Sequence, residues 1–326
     1  MAGRFLYSQL FVTPPKPTVS HAGKTVIVTG ANVGLGKEAA RQFTQLGAST
    51  VILAVRSLEK GNAAKNDIEA STGRNGVVKV WQLDMASYQS VLDFAGKAEK
   101  ELDRLDVALL NAGVMRGQWE VFEQDESTIT VNVVSTFLLA FALAPKLVET
   151  SKKFNTRPNL TIVSSETHEF VGFAERHAPE GKIFERLNEK MVDGKAVALS
   201  TRYMVSKLLE VLIVRAWCER KSATEIPVTI NFVNPGLCHS EFGREGGWSV
   251  IIMKFFLART TEVGSRVLVA AASLGPESHG QYVTNGRVED PGTWVLSQEG
   301  HQVQQRVWNE LVGKLEGIKT GITQTL

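Results

Sequence analysis

A tyrosine and a lysine four residues apart are the first pair in this chain that could perform acid–base chemistry. Tyr203 and Lys207 lie in a helix-like stretch that runs to about Arg220, and residues at this spacing share one face of a helix. A free tyrosine titrates near pH 10, and a unit positive charge about 4 Å away lowers that pKa by roughly three units. The pair predicts a general acid or base, although the spacing alone is common and also fits packing on a helix surface.

Polar or small residues follow several predicted strands. Ser165 follows the fifth strand, Asn111 and Gly113 follow the fourth, and Asp84 follows the third, while Asn132 lies within an otherwise apolar helical stretch. Each could instead cap a turn or satisfy a buried amide. Because the ligands of parallel sheets bind at the carboxyl ends of the strands, their shared edge predicts a reaction site.

Three glycines follow the first predicted strand, and a helix begins at once. Gly30, Gly34 and Gly36 let the backbone turn sharply and approach a pyrophosphate, which the free N–H groups of the helix start would bind. A purely structural tight turn is the alternative interpretation. The position between a buried strand and a helix favours nucleotide binding.

The end of the second strand bears on the choice of cofactor. NAD sites usually place an acidic residue about 20 residues past the glycines, whereas NADP sites place an arginine nearby. Here Arg56 follows the strand and no acid occurs before Glu59. The planar charged guanidinium suits a 2′-phosphate and predicts NADP, although Arg56 also fits a solvated surface arginine.

Short β-branched runs alternate with longer helical stretches along the chain. The predicted strands are Thr25–Thr29, Thr50–Val55, Val77–Gln82, Leu105–Leu110, Leu160–Val163 and Val228–Val233. The predicted helices include Gly36–Gln45, Leu58–Ser71, Ser87–Glu101 and Phe122–Thr150. This alternation predicts an α/β fold: a single doubly wound Rossmann-type domain with a mostly parallel central sheet and helices on both faces.

The overall composition argues against several classes of protein. The 36 basic and 34 acidic residues nearly cancel, which leaves no broad electrostatic footprint for nucleic acid. Two cysteines are too few for a disulfide framework, and a reduced, cytoplasmic setting is the simpler expectation. Residues 1–21 are interpreted as an N-terminal arm. The apolar run Trp248–Ala258 is too short to span a membrane, which leaves interfacial contact open.

Taken together, the motifs resemble the short-chain dehydrogenase/reductase family over roughly residues 22 to 290, and within it the retinol-dehydrogenase-like and carbonyl-reductase-like branch. In chain order they are TGANVGLG (29–36), LDM (83–85), NAG (111–113), Asn132, SS (164–165), YMVSK (203–207) and NPG (234–236). Each motif is weak by itself, but the full ordered set is specific.

The resemblance implies roles for these residues. Tyr203 would be the general acid in reduction and the base in oxidation, and Lys207 would lower its pKa and hold the nicotinamide ribose. Ser165 would orient the carbonyl, and Asn132 would hold a water in a proton relay to Lys207. Asp84 would contact the adenine. The cofactor-binding set it implies is Gly30, Asn32, Gly34, Leu35, Gly36, Arg56, Asp84, Asn111, Ala112, Gly113, Tyr203, Lys207, Pro235, Gly236 and Ser240. No metal is implied.

The chain departs from the family pattern in two places. Residues 166–200 form an unusually long segment before Tyr203 and are expected to shape substrate access. After NPG the family often has a threonine that touches the nicotinamide amide, and Ser240 is the nearest substitute. Residues 237–258 are interpreted as a substrate lid, and residues 291–326 as a helical tail packed on the same domain.

The lid is rich in large apolar residues, among them Trp248 and Phe256. With Phe170 or Phe173 they would line a pocket for a bulky apolar substrate. Packing against the core, a partner subunit or a membrane surface remains an open alternative. His168 and His239 are expected to be pocket or packing residues.

The leading hypothesis is an NADP(H)-dependent carbonyl reductase or alcohol dehydrogenase acting on such a substrate, with a homodimer as the candidate assembly and without nucleic acid. Two alternatives remain: a cofactor-sensing scaffold that does not turn over, and a relative of the fold that catalyses a non-redox step.

Overall fold

The computed structural model describes residues 2–192, 194–239 and 257–325, and its centre is an eight-stranded sheet. Its strands are β1 Thr25–Thr29, β2 Thr50–Val55, β3 Val78–Gln82, β4 Val107–Leu110, β7 Asn159–Val163, β10 Thr229–Asn234, β11 Tyr282–Thr284 and β12 Arg287–Glu289. The spatial order is β12-β11-β10-β7-β4-β1-β2-β3, and every pair is parallel except β11 with β12. The structure therefore confirms the predicted fold class.

Helices cover both faces of the sheet, as the near-continuous apolar strands require. They are α1 Ala2–Phe11, α2 Gly34–Gln45, α3 Leu58–Thr72, α4 Tyr88–Glu101, α5 Ser127–Ile129, α6 Thr136–Phe154, α7 Ile183–Leu187, α8 Leu199–Arg220, α9 Thr261–Ala271 and α10 Gln298–Ile318. Buried side chains of α2, α3 and α9 form one core with the sheet, and those of α4, α6, α8 and α10 form a second. Strand β1 contributes to both, with Val26 and Val28 on one face and Ile27 on the other.

The strand order reverses beside β1, and this reversal positions the site. The chain runs from β1 outward through β2 to β3, then returns to place β4 on the other side of β1. The loops that leave β1 and β4 consequently diverge and open a crevice at the carboxyl edge of the sheet.

The predicted helix Phe122–Thr150 proved to be several elements. Val121–Phe122 (β5) pairs with Asp125–Glu126 (β6) in a small hairpin, and α5 follows. A π-helical turn over Thr130–Ser135 then leads into α6. A second small hairpin joins Met191–Val192 (β8) to Lys195–Ala196 (β9).

One described helical stretch, Ser127–Phe154, is long and apolar enough to cross a membrane by length and composition. However, 83% of its most apolar window is buried inside the protein. This stretch therefore serves as a core helix of the fold.

The C-terminal helix α10 lies against α8. Trp308 of α10 is 6.5 Å from Trp217 of α8 between ring centroids, and Trp217 stacks on Phe141 of α6 at 4.0 Å. These rings bury large apolar surfaces between three helices. Cys218 and Trp217, which the sequence did not single out for function, are both buried.

Candidate active site

The turn after β1 brings the backbone unusually close to neighbouring groups. Gly30 and Gly34 have φ angles of 66° and 60°, a region that favours glycine. A Cβ on Gly36 would lie 2.7 Å from the Gly30 carbonyl oxygen and 2.5 Å from Nδ2 of Asn111. Only glycine fits there without displacing the turn.

The start of α2 is open toward this turn. Val33 occupies the N-cap position and makes no side-chain capping hydrogen bond, and the first turn carries no acidic residue. The first N–H groups of a helix carry a partial positive charge that attracts anions. Together with the glycine turn, this geometry fits the diphosphate of a dinucleotide.

Two residues after β4 are hydrogen-bonded to the last residue of β1. Asn111 donates from Nδ2 to the Thr29 carbonyl at 2.9 Å, and the Ala112 N–H donates to the Thr29 hydroxyl at 2.8 Å. A Cβ on Gly113 would lie 3.3 Å from Oδ1 of Asn132 and 3.7 Å from Nζ of Lys207. Gly113, Asn132 and Lys207, which were predicted from separate motifs, therefore lie close together.

Asn132 is fully buried in the π-helical turn, and its amide is well satisfied. Its Oδ1 accepts from the Val114 N–H at 2.8 Å, and its Nδ2 donates to the Val114 carbonyl at 3.0 Å and to the Ser206 hydroxyl at 2.9 Å. The side chain thus ties the loop after β4 to helix α8. The implied role in holding a water stays a prediction.

Helix α8 presents the reacting pair. Nζ of Lys207 lies 5.7 Å from the ring centroid of Tyr203, and the side chains of Tyr203 and Ser165 are hydrogen-bonded. The Ser165 hydroxyl also accepts from the N–H of Thr167 at 3.3 Å and from its hydroxyl at 3.1 Å. The structure therefore brings the predicted serine, tyrosine and lysine together.

The electrostatics of Tyr203 differ from the sequence-based expectation. Desolvation raises the pKa of Tyr203 above its ordinary value, the negative charge of Glu210 raises it further, and the Ser165 hydrogen bond lowers it. Burial dominates and Lys207 is paired with Glu210 at 2.8 Å, so a lowering of the Tyr203 pKa by Lys207 stays a prediction.

The backbone of Ser165 is held by a buried histidine. His168 places Nδ1 2.6 Å from the Ser165 carbonyl oxygen and Nε2 2.7 Å from that of Pro291. The ring, which is 2% exposed, packs against Tyr282. His168 thus joins the serine turn to the chain beyond β12, in agreement with a packing role.

The residues predicted to contact the 2′-phosphate and the adenine of a cofactor follow β2 and β3. Arg56 is exposed just after β2, and Ser57 behind it caps α3. Oδ1 of Asp84 accepts from the Ala86 N–H at 3.0 Å. Its other carboxylate oxygen makes no hydrogen bond with the described residues. Both residues lie on the same edge of the sheet as the glycine turn.

The segment after β10 is covered by the N-terminal helix, which the sequence did not anticipate. Gln9 of α1 donates to the carbonyls of Leu237 and Leu257 at 3.0 and 2.9 Å, and accepts from the Leu237 N–H at 3.2 Å. A Cβ on Gly236 would lie 2.5 Å from Oε1 of Gln9. The sequence signal for this contact was the short apolar stretch at the start of the N-terminal arm.

Arg259 strengthens this contact from the other side of the loop. Its Nη2 donates to the carbonyls of Ser8 and Val12 at 2.7 and 3.0 Å and to the side chain of Asn285 at 2.9 Å. Pro235 and Gly236 are thereby held beneath α1. Ser240 and residues 240–256 of the predicted lid lie outside the described residues.

Of the two phenylalanines proposed for substrate contact, only one is available. Phe173 is 2% exposed and belongs to the apolar core, which leaves Phe170 as the alternative that fits a pocket. Phe170, five residues after Ser165, is 46% exposed. The difference arises because Phe173 turns inward at a φ of 37° before the short helical turn at Ala174–His177.

Comparisons with known proteins agree with this geometry. The family model described as short chain dehydrogenase matches residues 24–157. The chain is 53% identical to the short chain dehydrogenase/reductase dmxR8 of Cryptosporiopsis sp. (strain 8999), over 98% of both chains. It is 45% identical to the short chain dehydrogenase atnD of Emericella nidulans, over 86% of this chain and 89% of the relative.

Solved structures share the fold. A protein from Mycobacterium paratuberculosis matches with a TM-score of 0.69 at 24% identity, over 93% of this chain and 98% of that one. A short chain dehydrogenase from Shigella flexneri, complexed with NADP, matches with a TM-score of 0.60 at 20% identity, over 83% of this chain and 100% of that one.

Proposed function

This chain belongs to the short-chain dehydrogenase/reductase family, and from that premise we propose that it is an NADP(H)-dependent carbonyl reductase or alcohol dehydrogenase. The observation that carries the proposal is the meeting of Ser165, Tyr203 and Lys207 at the carboxyl edge of the sheet, beside the glycine turn. A protein that only binds the cofactor, without turnover, has no need of these three side chains.

The cofactor would lie along the crevice. The turn at Gly30–Gly36, including Asn32 and Leu35, would hold the diphosphate, Arg56 the 2′-phosphate and Asp84 the adenine. Asn111, Ala112 and Gly113 would line the ribose side, and Pro235 and Gly236 the nicotinamide. When bound, the cofactor supplies the hydride.

The protein's own residues would supply the proton and the orientation. The Ser165 hydroxyl would donate a hydrogen bond to the substrate oxygen, and the Tyr203 phenol would give that oxygen its proton as the carbonyl carbon accepts the hydride. Burial raises the pKa of Tyr203, so the phenol is protonated near neutral pH and is available as a proton donor. The use of NADP favours reduction as the direction of the reaction.

The substrate would be a bulky, mainly apolar carbonyl compound. Phe170 presents an exposed ring five residues after Ser165 in the chain, and the apolar residues of the predicted lid follow Pro235 and Gly236. An apolar pocket with a few converging polar groups is the usual form of such a site.

Consumption of NADPH by a panel of bulky apolar aldehydes and ketones tests the proposal, with Tyr203→Phe measured in parallel. We expect turnover with wild type and a loss of at least about a hundredfold in the variant, since general acid catalysis contributes roughly 10² to 10⁴. NADPH binding, followed by fluorescence, should persist in the variant.

Tyr7→Phe is the matched control, because Tyr7 is 63% exposed on α1. It should react as wild type does. Full activity of Tyr203→Phe would overturn the role of the phenol. NADPH binding without turnover across the whole panel would instead favour a cofactor-sensing or non-redox role.

A further inference from the structure

Glu210 is a buried carboxylate in an apolar part of α8. It follows Lys207 by three residues, is 2% exposed and is flanked by Leu208, Leu209, Val211 and Leu212, all buried. An ionisable group in such surroundings is costly unless it is paired. Glu210 also lies beside Lys207, a residue of the proposed site, so its charge can act on that site.

The partner of Glu210 is the lysine of the proposed site. Oε1 of Glu210 accepts from Nζ of Lys207 at 2.8 Å, and the same Nζ donates to the Val163 carbonyl at the end of β7, also at 2.8 Å. An ammonium has three N–H donors. Two of them are thus directed to described protein acceptors, and the third remains for a group in the crevice beside Gly113.

The end of β7 adds a further constraint. The Ser164 hydroxyl donates to the Lys207 carbonyl at 3.0 Å and is close enough to Glu210 to favour its ionised form. Oε2 of Glu210 is nonetheless buried and lacks a hydrogen bond of good geometry among the described residues. The carboxylate therefore depends chiefly on Lys207 for stabilisation.

Within the part of the chain that the structure describes, the charged and titratable groups that face Glu210 are Lys207 and Tyr203 of its own helix, while β7 presents the Ser164 hydroxyl. Burial raises the pKa of Glu210 to about 7, although Lys207 and Ser164 favour the ionised form. The negative charge of Glu210 in turn raises the pKa of Tyr203. The ionisations of Glu210, Lys207 and Tyr203 are consequently coupled to one another.

We propose that Glu210 is a positioning residue that fixes Nζ of Lys207 and offsets part of the positive charge that would otherwise act on the Tyr203 phenol. The inference rests on the proposed function in taking Tyr203 as the proton donor. With Glu210 ionised, the phenol keeps its proton to higher pH and remains a donor for reduction. Without that charge, Lys207 favours the phenolate more strongly.

The pH dependence of carbonyl reduction by Glu210→Gln tests this role. Glutamine can still accept the hydrogen bond from Lys207 but carries no charge. Removal of a neighbouring unit charge at an effective dielectric of about 20 shifts a pKa by roughly one unit or more. We therefore expect the alkaline limb of kcat/KM, where Tyr203 loses its proton, to move down by about one pH unit.

Glu219→Gln is the matched control, because Glu219 lies on the same helix but is 37% exposed and pairs with Arg215. Its alkaline limb should stay where the wild-type limb lies. Glu210→Asp keeps the charge and shortens the reach, so it should raise KM for NADPH while leaving the limb in place. An unshifted limb in Glu210→Gln, with only a uniform loss of kcat or of stability, would overturn the proposal.

A measurement without turnover separates this inference from the proposed function. The ¹³Cζ resonance of labelled tyrosine reports ionisation in the cofactor-free protein, and Tyr203→Phe identifies the signal. Between about pH 7 and 11, Tyr203 should begin to ionise at lower pH in Glu210→Gln than in wild type. That shift without any carbonyl turnover would sustain the role of Glu210 and refute the reductase. No shift, whatever the activity, would refute the role of Glu210.

Discussion

Arg56 is the single side chain on which the proposed choice of NADP over NAD depends. It lies exposed at the carboxyl end of β2, one strand away from the glycine turn. A guanidinium there can form charge-assisted hydrogen bonds with a 2′-phosphate, whereas the cofactor that lacks this phosphate gains nothing from it.

Arg56→Ala should weaken NADPH binding by about 10- to 100-fold and leave NADH binding nearly unchanged, because hydrogen bonds to charged groups contribute about 1.5–3 kcal/mol. Fluorescence titration with both cofactors measures this. Arg287→Ala is the control, since Arg287 is exposed on β12 at the opposite edge of the sheet. Equal weakening of NADPH and NADH would contradict the assignment.

Residue types and spacing anticipated which side chains would meet, but not their electrostatics. Ser165, Tyr203 and Lys207 could be named because each falls at a recognisable position relative to a strand or helix. The raised pKa of Tyr203 could not, since it depends on burial and on Glu210. A lone glutamate in the run LLEVLIV, three residues after the lysine, was the available signal.

At the scale of elements, the segment before Tyr203 is fastened to α8 by a buried ion pair. Arg202, next to the tyrosine, is fully buried and donates from Nη1 to Glu175 at 2.7 Å. Glu175 belongs to the short helical turn Ala174–His177 within the long segment. This pair therefore fixes the segment to the helix that presents the reacting residues.

Arg202→Met should lower the free energy of unfolding by about 3–5 kcal/mol, because it leaves Glu175 buried without its partner. Arg202→Met with Glu175→Leu should recover much of that loss, since no buried charge remains unpaired. Urea unfolding measures both. Arg176→Met, which breaks the more exposed pair with Glu299, should cost at most about 1 kcal/mol. Additive losses in the double variant would contradict the coupling.

The sequence predicted strands correctly where a continuous apolar run has the length of a strand. Six predicted strands lie within about two residues of observed strands, because buried parallel strands are continuous apolar runs. Strands β11 and β12 were missed because three residues are too few to show a pattern. The π-helical turn around Asn132 was missed because it arises from tertiary packing against Val114 and Ser206.

For the whole molecule, stability toward acid depends on a buried histidine at the base of the sheet. His21 is fully buried, its Nε2 lies 3.1 Å from the Ser273 hydroxyl, and its ring contacts Phe43 edge-on. Burial, with a smaller effect from Lys24, lowers the pKa of His21 from 6.5 to about 4. The folded protein therefore holds this ring neutral over a range in which the unfolded chain protonates it.

Because the folded-state pKa is depressed, the stabilisation by neutral His21 is complete above pH 6.5 and is lost as the pH falls toward 4. The loss should reach up to about 3 kcal/mol. Urea unfolding of wild type and His21→Gln at both ends of this range isolates the effect, since other titrating groups are common to both proteins. A pH dependence equally steep in the variant would contradict the assignment.

Transfer of deuterium from NADPH labelled at C4 tests the central claim most directly, namely that this chain moves a hydride between cofactor and carbonyl carbon. With a reactive ketone from the panel, NADPH labelled on the transferred face should give an alcohol that carries deuterium on its carbinol carbon, and Tyr203→Phe should form little of it. Product without deuterium from NADPH labelled on either face would contradict the account.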